Sequence, residues 1–280
     1  MTRTLSGRTI LMSGGSRGIG LAIALRAAAD GANVVMLAKT GEPHPRLEGT
    51  VHTAAAEVEA AGGQALAVVG DVRDEADVQR AVDAAVDRFG GIDVVLNNAS
   101  ALDLRSTRDI PMKSFDLMQA INARGTFLLS KSAIPHLEKS DNAHVLTLSP
   151  PLDLRPKWAG AYLAYTMAKY GMSLVTLGLA EELRDAGIAA NSLWPRTTIA
   201  TAAVANLLGG DEALARTRTT AIMADAAHAV LVRDSRTCTG NFFLDDEVLA
   251  EEGVTDLERY RADPSATGPL DADLFLEPLS

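Results

Sequence analysis

The stretch Leu11-Met12-Ser13-Gly14-Gly15-Ser16-Arg17-Gly18-Ile19-Gly20 decides the fold of this chain. Ahead of it, Thr9-Ile10-Leu11-Met12 is a short apolar run that reads as a buried strand. Behind it, Ile19, Ala22, Ile23, Arg26 and Ala27 recur at helical spacing, so a helix opens inside the glycines. Glycine lets the backbone take tight dihedrals and come close to a ligand. The free N–H groups and the dipole of a helix start then favour an anion such as a pyrophosphate. The spacing is G-x-x-x-G-x-G through Gly14, Gly18 and Gly20, not the G-x-G-x-x-G of the commoner dinucleotide fingerprint. A ligand-free strand-to-helix turn would also use glycines. The flanking strand and helix decide for the nucleotide.

Outward from this turn, apolar runs alternate with helical patterns. Strands are predicted at Asn33–Ala38, Ala65–Val69, Ile92–Leu96, His144–Ser149, Ile188–Leu193 and near Asn241–Leu244. Helices are predicted over 53–61, 74–89, 114–138, 161–186, 199–208 and 211–232. The pattern is clearest in 74–89, where Val78, Ala81, Val82, Ala85 and Phe89 share a face and Gly90-Gly91 stops the helix. Strict alternation predicts an α/β protein with a single Rossmann-type doubly wound domain over residues 1–245. Its sheet is parallel with helices on both faces. Residues 41–50, with Pro43 and Pro45, read as an irregular insertion. Residues 246–280 are acidic and hold three prolines. They predict an extension packed on the same domain or on a neighbouring subunit, running over the surface.

Composition narrows the partners. The 280 residues are 47% hydrophobic and 22% charged, an ordinary soluble balance. A formal net charge of −10 argues against nucleic acid or an anionic membrane as partner. The single cysteine, Cys238, allows no intramolecular disulfide and points to a reducing compartment. No run suits a signal peptide or a bilayer span, so a cytoplasmic location is expected. The five histidines are scattered, and no metal site is expected.

Two further positions carry chemistry. In a βαβ unit the residue ending the second strand faces the adenosine ribose, and an acid there would bind the 2′-hydroxyl. Here Lys39 ends that strand and Arg17 lies in the glycine turn. Together they suit a 2′-phosphate, so NADP(H) is preferred and NAD(H) possible, although a solvated lysine explains Lys39 alone equally well. Farther on, Tyr165 and Lys169 stand four residues apart in a helical stretch and share one face. A free phenol has a pKa near 10, too high for a ready base at neutral pH. Opposite charges about 4 Å apart at an effective dielectric of ~20 interact by about 4 kcal/mol, or roughly three pKa units. Lys169 is therefore expected to bring Tyr165 toward the working range.

With these pieces in order, the chain resembles the short-chain dehydrogenase/reductase family. The matching residues are Ser13 to Gly20, Asp71-Val72, Asn97-Asn98-Ala99, Asn122, Ser149 and Tyr165-x-x-x-Lys169. Ser149-Pro150-Pro151-Leu152, Ala38-Lys39-Thr40, His44-Pro45 and Leu193-Trp194-Pro195 are similar to a hydroxysteroid dehydrogenase-like subgroup. Its animal members add a sterol-carrier domain that is not expected within these residues.

The resemblance implies a general acid/base role for Tyr165, with Lys169 also holding the nicotinamide ribose. It implies a hydrogen bond from Ser149 to the substrate oxygen and a relay water at Asn122. Gly14, Ser16, Arg17, Gly18, Ile19 and Gly20 would cradle the pyrophosphate. Asp71 and Val72 would meet the adenine, and Asn98, Ala99 and Ser100 would line the adenosine side. Pro195 and Thr197 would meet the nicotinamide, although Trp194-Pro195-Arg196-Thr197 departs from the usual Pro-Gly. Ser100 likewise replaces a usual glycine, and the gap of sixteen residues from Ser149 to Tyr165 is long.

The expected activity is interconversion of an alcohol and a carbonyl on an apolar, lipid-like small molecule. Enoyl reduction, or nucleotide binding with regulation and little turnover, are the alternatives. The expected pocket lining is Leu152, Leu154, Trp158, Ile199, Val204, Leu207 and Leu208. Arg155, Lys157 and Arg196 either bind an anionic substrate tail or face water. The long helices over 114–138 and 161–186 imply a homodimer or homotetramer.

Overall fold

Five apolar strands are buried along their whole length: β1 (Thr9–Ser13), β2 (Asn33–Ala38), β4 (Val94–Asn97), β5 (His144–Thr147) and β6 (Ala189–Trp194). The computed structural model describes residues 4–43, 49–202, 204 and 214–278. With β3 (Gln64–Val69) and β7 (Phe242–Leu244) at the edges, the strands form one sheet in the order β3-β2-β1-β4-β5-β6-β7. Every pairing is parallel. The order reverses between β1 and β4, and a crevice opens there at the carboxyl ends of the strands, the usual place for a ligand in such sheets.

Successive side chains of a strand point to opposite faces, so the sheet divides two cores. Ile10, Met12, Val34, Met36 and Leu96 pack with α1 (Gly18–Ala28), α2 (Val51–Ala60) and α8 (Ala221–Leu231). Leu11, Val35, Leu37 and Val95 pack on the other side with α3 (Glu75–Phe89), α5 (Gly125–Leu137) and α7 (Leu163–Glu182). Helix ends follow local chemistry. Thr50 and Thr53 form a reciprocal cap on α2, and the Asp74 carboxylate accepts from Ala76 and Asp77 at the start of α3. Gly90 ends α3 at a φ of 86°.

Two expected helices are interrupted. The stretch 114–138 is α4 (Met112–Met118), a π turn over Gln119–Arg124, and then α5. The stretch predicted from 161 starts at Leu163, because Tyr162 (φ −146°, ψ 62°) separates α7 from the short α6 (Pro156–Ala161). Residues 205–213, with Leu207 and Leu208, lie outside the described residues, as do His44 and Pro45; α8 begins only at Ala221.

The extension past β7 runs through α9 (Asp245–Glu251) and then turns back over the carboxyl end of β6. There it pairs with the segment after β6: Thr198 N–H donates to Asp271 O (2.9 Å) and Asp273 N–H to Arg196 O (3.1 Å). Leu270 and Phe275 are buried, so this part is a strap rather than a surface tail. Cys238 is also buried, and burial pushes its thiol up. Among the described residues no helix is long and apolar enough to cross a membrane, and no three metal-binding side chains cluster.

Candidate active site

The glycine turn has the shape its sequence requires. Gly14 and Gly18 take φ of 75° and 60°, a region that side-chain-bearing residues rarely enter. A Cβ on Gly20 would fall 2.5 Å from Asn98 Nδ2 and 2.6 Å from Gly14 O, so only glycine fits. Asn98, just past β4, donates from Nδ2 to Ser13 O (3.1 Å) and Gly14 O (2.6 Å). Ser13 Oγ accepts the backbone N–H of Ala99 at 3.1 Å. The turn is thus clamped to the far side of the crevice. Ser16 is buried, Ile19 packs on the α1-side core, and Arg17 Nη2 donates to Gly49 O at 2.7 Å.

On the adenosine side, Lys39 Nζ lies 3.2 Å from Asp71 Oδ2, and Arg73 Nη2 lies 2.6 Å from the same oxygen. Arg73 first, and Lys39 after it, hold the Asp71 carboxyl well below the usual carboxylate range. Two cations on one carboxylate leave a positive excess here, and the Lys39 side chain stays 60% exposed. Val72 packs against Gly125, where an added Cβ would meet its Cγ1 at 3.0 Å.

Tyr165 and Lys169 come from the first turns of α7. Lys169 Nζ donates to Leu148 O (2.9 Å), just past β5, and sits 5.1 Å from the centroid of the Trp194 ring at the end of β6. Tyr165 is 5% exposed. Burial raises its phenol above the ordinary value, with the Asp273 carboxyl adding to the rise and Ser100 opposing it. Burial also lowers Lys169 to about 7, against the attraction of Asp273. Asp273 itself is pushed up to about 7 by burial. The expected lowering of Tyr165 by Lys169 is therefore not what this arrangement does. Desolvation favours the neutral form of both groups, and Lys169 Nζ is turned to a carbonyl and a ring.

Among the described residues no hydrogen bond joins Ser149 to the phenol. The Ser149 hydroxyl pairs with Ser192 Oγ at 2.8 Å, and Ser192 Oγ donates to Thr176 Oγ1 at 3.0 Å. Either hydroxyl of the Ser149–Ser192 pair can be the donor. Ser100, expected as cofactor lining, neighbours the phenol and opposes its rise, while its Oγ donates to Ala101 O at 3.5 Å.

Asn122 is fully buried in the π turn, accepting from Ala101 N–H (2.8 Å) and donating to Ala101 O (3.0 Å). π turns are often found at functional sites, and this one locks the loop after β4. Pro195 and Thr197 are buried beyond β6. Thr197 Oγ1 has no hydrogen-bond partner among the described residues. The glycine cradle and this orphaned hydroxyl both fit a bound dinucleotide.

The strap brings two residues that the sequence did not announce, Asp273 and Phe275. Phe275 stacks on Tyr165, with centroids 6.0 Å apart and an interplanar angle of 24°. It also meets Tyr170 (5.4 Å) and Trp194 (6.0 Å). Beside it is a cavity of about 640 Å³, lined by Trp158, Tyr162, Leu270, Leu274 and Leu276. Of the expected lining, Trp158 is there, Leu154 is 86% exposed, and Ile199 is buried in the α1-side core. The expected anionic-tail cations are paired within the chain: Arg155 and Lys157 with Glu277, and Arg196 with Asp246 and Glu247.

Comparison with known proteins agrees with this geometry. Residues 8–211 match the short chain dehydrogenase family. The chain is 54% identical over 276 residues to hydroxysteroid dehydrogenase-like protein 2 of Danio rerio, covering 99% of this chain and 65% of that protein. The chain thus spans less than two thirds of the length of such relatives. Among solved structures, a short chain dehydrogenase of Mycobacterium thermoresistibile is 58% identical, with a TM-score of 0.93 over 98% of this chain and 97% of the other. Carveol dehydrogenase of Mycobacterium avium in complex with NAD shares the fold at a TM-score of 0.74 and 22% identity, over 86% and 96% of the two chains. This chain belongs to the short-chain dehydrogenase/reductase family, whose members are oxidoreductases that bind NAD(P).

Proposed function

We propose that this protein interconverts a carbonyl and an alcohol on an apolar small molecule, using NADP(H), with Tyr165 moving the proton. The observation that carries this reading is the placement of Tyr165 and Lys169 on α7, at the carboxyl ends of β5 and β6 and across the crevice from the glycine turn. Bound NADPH supplies the hydride. The chain's own residues do the rest. The glycine turn, with Asn98 behind it, holds the pyrophosphate. The positive excess at Lys39 and Arg73 favours a 2′-phosphate, with Arg17 on the glycine-turn side. Thr197 offers its unpaired hydroxyl to the nicotinamide amide.

Burial raises the Tyr165 phenol, so it stays protonated and can give its proton to a carbonyl oxygen in the reduction direction. Ser149 and Ser100 are the hydroxyls able to share the substrate oxygen with it. Ser149 positions the loop after β5 through Ser192 and Thr176. For the assembly we propose a homodimer or homotetramer in the cytoplasm, supported by the apolar side chains of Phe127, Met167, Leu174 and Leu177 that α5 and α7 leave exposed. The test is NADPH oxidation over a panel of ketones and aldehydes. Consumption with an apolar ketone, abolished in Tyr165→Phe, supports the reading; no consumption with any carbonyl sinks it.

A further inference from the structure

We propose that Phe275 is a specificity-determining residue, a gate between the Tyr165 phenol and the adjoining cavity, and that the cavity takes the apolar part of a ketone substrate. The proposal deepens the carbonyl reading and rests on it. It begins with a backbone oddity. Phe275 has a φ of 70° and is the only described non-glycine residue at positive φ. An L side chain is strained there, and such strain persists only where neighbours hold it.

Here the neighbours are visible. Trp194 Nε1 donates to Leu274 O (2.9 Å), Asp273 N–H to Arg196 O (3.1 Å), and Leu276 N–H to Asp273 O (3.3 Å). These bonds fasten the strap on both sides of Phe275 and hold its ring in the site, stacked on Tyr165, tilted against Tyr170 and edge-on to Trp194. With the ring in place Tyr165 is 5% exposed, so the ring covers it on the side of the cavity.

The opposite side of the same strap faces open space. Leu274, Phe275 and Leu276 line the cavity of about 640 Å³ together with Trp158 and Tyr162, a volume within the range of small-molecule sites. Of its charged members, Arg216 and Asp271 pair with each other and Asp273 interacts with Lys169, and the rest of the wall is largely apolar. Phe275 is thus the partition between an apolar chamber and the proton donor. The backbone is held on both sides, so the ring can leave its place by turning about its side-chain bonds while the strap stays fastened. A ketone whose hydrocarbon part fills the chamber can take the place of the ring and bring its oxygen to Tyr165.

The chain has two tryptophans, Trp158 in the chamber and Trp194 against Phe275, so occupancy can be read without turnover. The probes are 2-adamantanone and 2-butanone, with the full chain and NADPH present. In Phe275→Ala, the ratio of kcat/KM for the bulky over the small ketone should rise about tenfold, the scale of pocket-size discrimination. The dissociation constant for NADPH should not change. In the same variant, tryptophan quenching should show tighter binding of 2-adamantanone.

Parallel changes for both ketones, or unchanged quenching, overturn the gate. If neither ketone is reduced, the wider carbonyl panel still decides the carbonyl reading, and the quenching comparison decides the gate by itself. Phe275→Gly removes the backbone strain together with the ring and serves where the alanine variant does not fold.

Discussion

The side-chain amide of Asn98 reaches across the crevice and donates to the carbonyls of Ser13 and Gly14, at 3.1 and 2.6 Å. One side chain therefore fixes the glycine turn to the end of β4, at the point where the strand order reverses. Asn98→Asp would set a carboxylate against two carbonyl oxygens. An unmet buried acceptor costs about 1–3 kcal/mol. The expected outcome is a lower melting temperature together with weaker NADPH binding by calorimetry. Unchanged NADPH affinity would show that the clamp has no part in the cofactor site.

Tyr165→Phe removes a hydroxyl and keeps the ring that Phe275 stacks on. The fold and NADPH binding should survive, while turnover drops by about a hundredfold or more, the range for losing an acid/base group. Lys169→Ala should lower both turnover and cofactor affinity, because the proposed role of the ammonium includes the ribose. Near-normal turnover by Tyr165→Phe on a good ketone would remove the proton-transfer role.

The two serines should separate. Ser149→Ala breaks the chain through Ser192 to Thr176, at a cost in stability of about 1 kcal/mol, the net worth of an ordinary hydrogen bond. Its effect on kcat should be small. Ser100→Ala leaves stability alone and lowers kcat. Chemical unfolding and steady-state kinetics on both variants read the split, and the reverse pattern would return the substrate oxygen to Ser149.

Lys39 and Arg73 both approach the Asp71 carboxylate, at 3.2 and 2.6 Å. An exposed contact of Lys39 with a 2′-phosphate should contribute up to about 1 kcal/mol, so NADPH should bind several-fold tighter than NADH. Lys39→Asp should narrow or reverse that difference. Equal calorimetric affinities for the two cofactors in the unmutated protein would end the case for a 2′-phosphate site.

The doubly wound sheet was legible because its signals are local: apolar runs such as Asn33–Ala38, and glycines whose dihedrals the turn demands. That Tyr165 and Lys169 lie one turn apart on one helix was legible for the same reason. The direction of Ser149 was not, since a strand end gives no sign of which neighbour its hydroxyl meets. Phe275 and Asp273 lie more than a hundred residues from Tyr165 in a stretch with no period. Their role comes from pairing between the strap and residues 196–198, a long-range contact that composition does not encode. The break at Tyr162 escaped as well, because the apolar spacing continues through it.

His144 gives a test of buried electrostatics outside the site. It begins β5, is 1% exposed, and its Nε2 lies 3.1 Å from Arg233 O. Burial lowers its pKa from 6.5 to about 4, against the carbonyl of Arg233. Between pH 6.5 and 4 the unfolded chain takes up a proton that the folded chain refuses. Stability from this group is therefore fully present above 6.5 and is lost as pH falls toward 4, by about 3 kcal/mol. Asp245 and Asp273 work in the opposite sense, because burial raises their carboxyls to about 6 and about 7. Their folded forms hold protons that the unfolded chain has released, which favours folding as the pH drops. The test is thus a difference between proteins. His144→Gln keeps a donor for Arg233 O and cannot titrate. Urea unfolding at pH 7, 5.5 and 4 should show the unmutated protein losing more stability than the variant with each step. A gap that stays constant from pH 7 to 4 would mean that His144 accepts its proton as readily folded as unfolded.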